Sequence, residues 1–201
     1  MIAAEDHDRI RDSIRTAEQR TCGEIVCVLA QGSSAYIHVA ALWAAGLALV
    51  VPWLLVFATQ WSVQRILVCQ LAVFVVALVV FSLEPIRMRL VPRSVQRARA
   101  HREAMEQFFA RGMTRTKNRC GVMIFVSLNE RYARIVADEG IAAKVRNEEW
   151  AAAVAALVEH MRRRDVANGF IAAIERCGAI LAEKAPPTGE KDELPDRLYV
   201  I

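Results

Sequence analysis

Two uncharged stretches decide the fold: VAALWAAGLALVVPWLLVFA at residues 39–58 and ILVCQLAVFVVALVVFSL at residues 66–83. As an α-helix, each is long enough to cross the hydrocarbon core of a bilayer, which is about 30 Å thick. The residues between them are too few to return across it, so the sequence predicts a two-helix transmembrane hairpin at residues 38–83. The alternative is a pair of buried core helices, which a chain of 201 residues could hardly surround.

The composition supports the membrane interpretation. The chain is 55% hydrophobic with a mean hydropathy of +0.24, yet 24% of its residues are charged. The apolar excess is therefore concentrated, and Arg65 is the only charged residue between Glu24 and Glu84. Because the predicted spans contain no ionisable Asp, Glu, Lys, Arg or His, they offer no proton relay or ion path. A transporter is not expected.

Basic residues predict the orientation of the hairpin. A cluster of arginines follows the second span, whereas the loop of the hairpin carries only Arg65. By the positive-inside rule, we expect a two-pass membrane protein with both chain ends in the cytoplasm. We expect the membrane to be the inner (cytoplasmic) membrane of a bacterium. These arginines also predict contact with an anionic lipid surface rather than with nucleic acid, although a purely topological role is the simpler alternative. They are Arg87, Arg89, Arg93, Arg97, Arg99 and Arg102.

The flanks of the hairpin predict one split α/β domain. Apolar runs at residues 24–29 and 121–128 are typical of buried strands, and residues 132–138 alternate as a hairpin partner. Amphipathic helical patterns precede and follow these runs. Since neither flank alone can bury a sheet, we expect residues 1–37 and 84–185 to form one mixed sheet flanked by helices. The strands on either side of the inserted transmembrane hairpin should be parallel.

Residues 186–201 form a C-terminal tail that is polar at first and then apolar. Two interpretations are open for its last residues. They form an edge strand or apolar plug on their own domain, or they are offered to a partner by strand addition. These partner-tail candidates are Leu198, Tyr199, Val200 and Ile201.

The runs RTCGEIVCV at residues 20–28 and RCGVMIFVSLNERYARIVADEGI at residues 119–141 resemble the TPM-domain family. The resemblance implies the same mixed sheet between helices, with members involved in the repair or accessory support of membrane-protein complexes. For some members it implies a weak acid phosphatase activity, with Ca²⁺ or another divalent cation bound at acidic loop positions. The matching positions are Asp138 and Glu139, with Glu24 as a weaker third. They make an incomplete shell, because Ca²⁺ takes six to eight oxygen ligands.

No catalytic residue can be assigned from the sequence, which lacks a G-x-S-x-G elbow, a phosphate loop and an H-E-x-x-H motif. We therefore expect a membrane-tethered, non-catalytic interaction, assembly or maintenance module that acts on an unidentified membrane-protein partner. The alternative is a divergent metal-dependent, acid-phosphatase-like hydrolase of phosphomonoesters. An alanine stripe on the first span, with Gln70 able to hydrogen-bond across it, has two interpretations: it joins the two helices of one hairpin, or it forms a homodimer. The stripe consists of Ala40, Ala44 and Ala48.

The spacing of the cysteines indicates neither a disulfide framework nor a structural zinc site. The chain has five cysteines, without a C-x-x-C pair or histidines at zinc-finger spacing. We expect reduced and mostly buried thiols.

Overall fold

The computed structural model divides into two compact units. The first combines Met1–Ser33 with Arg99–Ile201, and the second is Ser34–Ala98. The residues that the structure describes are 3–32, 36–116, 118–187 and 194–201.

A four-stranded mixed sheet forms the centre of the first unit. Its strands are β1 (Ile25–Ala30), β2 (Val122–Ser127), β3 (Tyr132–Ala137) and β4 (Leu198–Val200), in the order β3-β2-β1-β4. β1 runs parallel to both β2 and β4, whereas β3 is antiparallel to β2. The predicted α/β class, a mixed sheet flanked by helices, is confirmed.

The sheet is covered on both faces, which explains why β1 and β2 are apolar at every position but the last residue of β2. Ile25 and Cys27 point to one core, and Val26 and Val28 point to the other. The first core is closed by α1 (Ala4–Glu18), α7 (Asn147–Arg162) and α8 (Val166–Lys184). The second is closed by the C-terminal half of α5 (Arg93–Ala110), through residues such as Phe108.

The C-terminal tail ends as a strand of its own domain. Leu198 lies opposite Cys27, the amide of Ile201 donates to the carbonyl oxygen of Leu29 over 2.9 Å, and Gln31 donates back to Ile201 over 2.9 Å. The first of the two interpretations of the tail, an edge strand in cis, is therefore the one observed. The guanidinium of Arg111 stacks 3.8 Å from the ring centre of Tyr199 and holds the strand on its outer face.

The second unit contains two helices that are long and apolar enough to span a membrane. They are α2 (Ile37–Ala58) and α3 (Val63–Ser82), and they are followed by the short α4 (Glu84–Leu90). The mean hydropathy of the two candidate spans is 2.3 and 2.4, and only 17% and 11% of their most apolar windows are buried. Side chains such as Trp53 and Phe57 are 70% and 84% exposed. A soluble monomer rarely exposes so large an apolar surface, whereas a lipid environment favours it.

The alanine stripe of α2 is used inside the chain. Ala40 and Ala44 are fully buried and Ala48 nearly so, and α2 packs along α3. Small side chains let two helices approach closely, so this stripe joins the two helices of one hairpin without requiring a second copy.

Glu18 joins the end of α1 to the start of β1. Its Oε1 accepts a hydrogen bond from the amide of Ile25 over 2.6 Å. Burial, followed by the neighbouring Asp196 carboxyl group, raises the pKa of Glu18 from 4.5 to about 10. Among the described residues, the buried Oε2 of Glu18 and Oδ1 of Asp196 have no hydrogen-bond partner. A proton on Glu18 would supply the donor that these two carboxyl groups need.

We expect Glu18→Gln to flatten the pH dependence of stability. Because the pKa of Glu18 is raised in the folded state, the folded chain holds a proton that the unfolded chain loses above about pH 4.5. The stabilisation is complete below that pH and is lost as the pH rises toward about 10. An amide keeps the acceptor for Ile25 and supplies a permanent donor to Asp196. The melting temperature of Glu18→Gln in detergent should therefore fall less than that of the wild type between about pH 6 and pH 9.

Glu183→Gln is the matched control, because Glu183 is an exposed carboxylate near the end of α8, paired with Lys184. It should retain the pH slope of the wild type. Equal slopes for Glu18→Gln and the wild type would show that Glu18 is not protonated in the folded protein.

Candidate functional site

The acidic turn that carries the family resemblance lies directly after β3. Asp138 caps α6 (Glu139–Ala142): its Oδ1 accepts from the amide of Glu139 over 2.8 Å. Its own amide donates to the carbonyl oxygen of Gly121 over 2.9 Å, which ties the turn to the start of β2. The side chain of Asp138 is only 3% exposed. Asp138 thus has a structural role as a helix cap.

One arginine neutralises both carboxylates of the turn. Nε of Arg119 lies 3.4 Å from Oδ2 of Asp138, and its Nη1 lies 3.1 Å from Oε2 of Glu139. The backbone of Arg119 has a φ of 50°, in the left-handed region. Glu139 is 82% exposed, so its share of the ion pair is weak, whereas that of the buried Asp138 is stronger.

Close packing against the backbone explains why a glycine, Gly140, follows the acidic pair. A β-carbon at this position would lie 2.6 Å from the carbonyl oxygens of both Asn118 and Arg119. Such a distance is far inside van der Waals contact, so only glycine lets α6 pack against the segment that precedes β2. The three residues of the turn therefore act together to dock α6.

Glu24, the third predicted ligand, has a different partner. Its Oε2 accepts from the amide of Leu194 over 3.3 Å, and its carbonyl oxygen accepts from the amide of Val122 over 2.7 Å. Its side chain therefore holds the segment that leads into β4. The structure brings Asp138 and Glu139 together but does not add Glu24 to them as a third ligand.

The arrangement does not fit a bound calcium ion. Within the described ranges, no group of three His, Cys, Asp or Glu side chains is placed to hold a metal. The oxygens of Asp138 already accept from an amide and face the guanidinium of Arg119. A divalent cation would be repelled by that guanidinium, so Arg119 would have to leave before the turn could bind one.

The predicted membrane-surface arginines are distributed over both units. Arg89, Arg93 and Arg97 are exposed and belong to the second unit, in α4 and the first turns of α5. Arg87 is half-buried in the same unit. Arg102 is exposed and Arg99 half-buried, and both belong to the first unit. The second unit thus extends beyond the hairpin at residues 38–83 and includes α4.

Gln96 stabilises the corner between α4 and α5. Its Nε2 donates to the carbonyl oxygens of Met88 and Val91 over 2.7 and 3.0 Å. These are carbonyls that the end of α4 leaves unpaired, so the side chain acts as a C-terminal cap. α4 also packs against α2 and α3, which explains why it groups with the hairpin.

A basic groove that the sequence does not reveal lies between α7 and the β2–β3 turn. Its volume is about 680 Å³, within the range of small-ligand sites. Arg131, Arg162 and Arg164 line it, and the first and last of these have left-handed φ values of 49° and 61°. This composition suits an anionic group next to an apolar one. The apolar lining includes Val126, Leu128, Val158 and Met161.

Comparisons with known proteins agree with this fold. The family model of the TPM domain matches residues 85–180, which contain the acidic turn but neither α1 nor β1. The NMR structure of the BA42 protein from the psychrophilic bacterium Bizionia argentinensis is similar, with a TM-score of 0.62 and 20% sequence identity. The similarity covers 100% of this chain and 95% of that chain. The family resemblance is confirmed, and the similarity to BA42 shows the fold. A search of curated proteins found no match.

We expect Asp138→Ala to lower the free energy of unfolding by about 2 kcal/mol, because it removes a helix cap and a buried partner of Arg119. Asp138→Asn should cost less, because asparagine also caps helices. Glu139→Ala should cost less than about 0.5 kcal/mol, because its ion pair is exposed. Chemical denaturation in detergent measures all three variants. Equal losses for Asp138→Ala and Glu139→Ala would contradict the structural role of Asp138.

Proposed function

We propose that this chain, whose residues 85–180 match the TPM domain, is a membrane-tethered interaction module that assembles or maintains membrane-protein complexes. The observation that carries the proposal is the parallel pairing of β1 with β2. The hairpin lies between these two strands in the sequence, so the folded domain holds both ends of its own anchor. A domain tethered at two points cannot leave the membrane surface, which suits work on membrane-bound partners.

The proposed location is the bacterial inner membrane, with both termini in the cytoplasm. The charge distribution of the second unit supports this. Arg89, Arg93 and Arg97 follow the second apolar helix and are exposed, while the turn region at the other end of the hairpin carries Arg65. Basic residues are retained on the cytoplasmic side. Each arginine close to an anionic leaflet contributes about 1 kcal/mol of attraction, so anionic lipid is a proposed partner of this surface.

We propose a non-catalytic role because the residues of the acidic turn already have structural roles. Asp138 caps a helix, and Arg119 pairs with both carboxylates. The second candidate is a divergent, metal-dependent hydrolase of phosphomonoesters that uses Asp138 and Glu139. The adjacency of these two carboxylates and the family resemblance favour it. It requires Arg119 to move away and further ligands to complete the shell of a divalent cation.

We also propose that a second copy of this chain binds through the hairpin to form a homodimer. A shallow groove between α2 and α3 is lined by Ala45, Ala48 and the amide side chain of Gln70. An amide in a lipid environment gains from a hydrogen-bonding partner on another helix.

Topology is tested with reporters fused after Ile201. We expect a fluorescent protein at this position to be bright in cells and a periplasmically activated phosphatase to be inactive, because both chain ends are proposed to be cytoplasmic. Replacing Arg87, Arg89, Arg93 and Arg97 by alanine should produce a mixed orientation, while Arg65→Ala should change nothing. An active phosphatase reporter on the wild-type chain would overturn the proposed orientation.

Catalysis is tested with a variant that keeps the fold. Asp138→Asn combined with Glu139→Gln preserves the cap and the size of both side chains while removing both charges. In a strain that lacks the protein, we expect membrane-protein complexes seen on native gels to be depleted, and this variant to restore them as well as the wild type does.

The alternative function, a metal-dependent hydrolase, predicts the opposite results. Purified wild-type protein would hydrolyse a phosphomonoester, the double variant would not, and millimolar Ca²⁺ or Mg²⁺ would raise the melting temperature of the wild type alone. Those three results together would replace the assembly role by the enzymatic one. Our expectation is no turnover and a flat metal titration.

A further inference from the structure

One end of the four-stranded sheet exposes apolar side chains. Among the described residues, the first unit has four exposed large apolar side chains, and three of them lie where β1, β2 and β4 end. They are Leu128, Val200 and Ile201, which are 42%, 57% and 41% exposed. Apolar side chains that are grouped in this way on a folded surface indicate contact with another molecule or with a membrane.

Backbone hydrogen bonds hold these residues around the end of β1. The amide of Leu128 donates to the carbonyl oxygen of Ala30 over 3.0 Å, and the amide of Gln31 donates to the carbonyl oxygen of Ile201 over 2.9 Å. Leu128 and Ile201 therefore flank the point at which β1 ends. In the sequence, β1 is also the element that immediately precedes the apolar α2.

An apolar row crosses the sheet at the same end. Ala133, Val126, Leu29 and Val200 lie opposite one another in the register of the four strands. Residues directly opposite in a sheet have their side chains on the same face, which here is the face that α7 covers. Val126 and Ala133 line the basic groove, so the groove and the exposed Val200 lie on the same face of the sheet.

The groove supplies positive charge that the fold does not neutralise. Among the described residues, the guanidinium groups of Arg131 and Arg164 form no hydrogen bond or ion pair. Arg162 lies 3.8 Å from the exposed carboxylate of Glu159. Arg131 and Arg164 also have a left-handed backbone, which glycine adopts with less strain. The described contacts thus leave both guanidinium groups available to an anionic ligand.

We propose that this end of the sheet binds the surface of an anionic phospholipid bilayer. Leu128, Val200 and Ile201 enter the boundary between headgroups and acyl chains, and Arg131 and Arg164 bind phosphate groups. A guanidinium group matches a phosphate in geometry as well as in charge. The inference rests on the proposed membrane tether and goes beyond it, because it assigns the surface of the domain that contacts lipid.

The combination of residue types favours a bilayer over a soluble anion. A soluble phosphate ester would use the arginines alone, whereas exposed leucine, valine and isoleucine side chains gain only from an apolar medium. A protein partner could supply both kinds of contact. A domain that is anchored by its own hairpin, however, meets the bilayer at a high effective concentration without any partner.

The test uses the full-length chain in nanodiscs, with one residue at a time replaced by the photo-cross-linker benzoylphenylalanine. In nanodiscs that contain phosphatidylglycerol, we expect the cross-linker in place of Leu128 to form an adduct with phospholipid, detected by mass spectrometry. The matched control is Glu139, which is 82% exposed but follows β3 at the opposite end of the sheet, and should form no lipid adduct. Phe57 in α2 is 84% exposed and should form one if the hairpin is in the bilayer.

Charge variants test the arginines. Arg131→Gln combined with Arg164→Gln should lower the yield of the adduct at position 128 at least about fivefold, because each arginine near an anionic surface contributes about that factor. Arg15→Gln combined with Arg20→Gln removes the same charge and should not change the yield. Both of these control arginines are exposed and precede β1, away from the groove. Nanodiscs of phosphatidylcholine alone should give the low yield with the wild-type arginines.

The positions of the adducts separate this inference from the proposed function. An adduct at position 57 without one at position 128, equal adducts at positions 128 and 139, or an adduct at position 128 with a second copy of the chain instead of lipid would each overturn the inference alone. Equal losses from the two arginine pairs would overturn the role of the groove. Failure at position 57 as well would overturn the membrane tether and the inference with it.

Discussion

The parallel pairing of β1 with β2 is the constraint on which the rest of the structure depends. The two strands lie on opposite sides of the hairpin in the sequence, so their pairing closes a loop that includes residues 31–121. The entropy of closing a loop grows only slowly with its length, and both strands are buried at every position, which offsets the cost. β3 and β4 then add at the two edges of this pair. The central pair of the sheet therefore needs residues from both sides of the inserted hairpin.

The start of β1 collects contacts from segments that are far apart in the sequence. Glu18 at the end of α1 accepts a hydrogen bond from the amide of Ile25, and Glu24 accepts one from the amide of Leu194 before β4. Both carboxyl groups therefore hold the same end of the sheet together.

The acidic turn has a physical explanation that needs no ligand. Asp138 supplies the cap of α6, Gly140 allows contact with the carbonyls that precede β2, and Arg119 neutralises the charge. These three requirements account for the order of residue types in the run that resembles the TPM family. The same run would be expected in a domain that binds partners and in one that catalyses a reaction, so the motif by itself does not separate the two functions.

Local patterns in the sequence were sufficient for the apolar helices and for β1, β2 and β3. Length without charge and short apolar runs are properties of neighbouring residues. Burial on both faces makes β1 and β2 continuous apolar runs, whereas β3 is buried only at Ile135 and Val136 and is predicted from its alternation. The sequence does not predict α4, because seven residues carry little periodicity. The second unit extends past residue 83, and in it α4 packs against α2 and α3 while Gln96 bonds the end of α4.

Tertiary structure alone decided which distant residues meet. β4 pairs with β1 of the same chain, and Arg119 forms ion pairs with both carboxylates of the turn. Glu24 accepts a hydrogen bond from Leu194 instead, and the arginine groove forms beside α7. A sequence specifies such contacts only through the closure of the whole sheet, because each depends on the register of strands and the packing of helices that lie far apart along the chain.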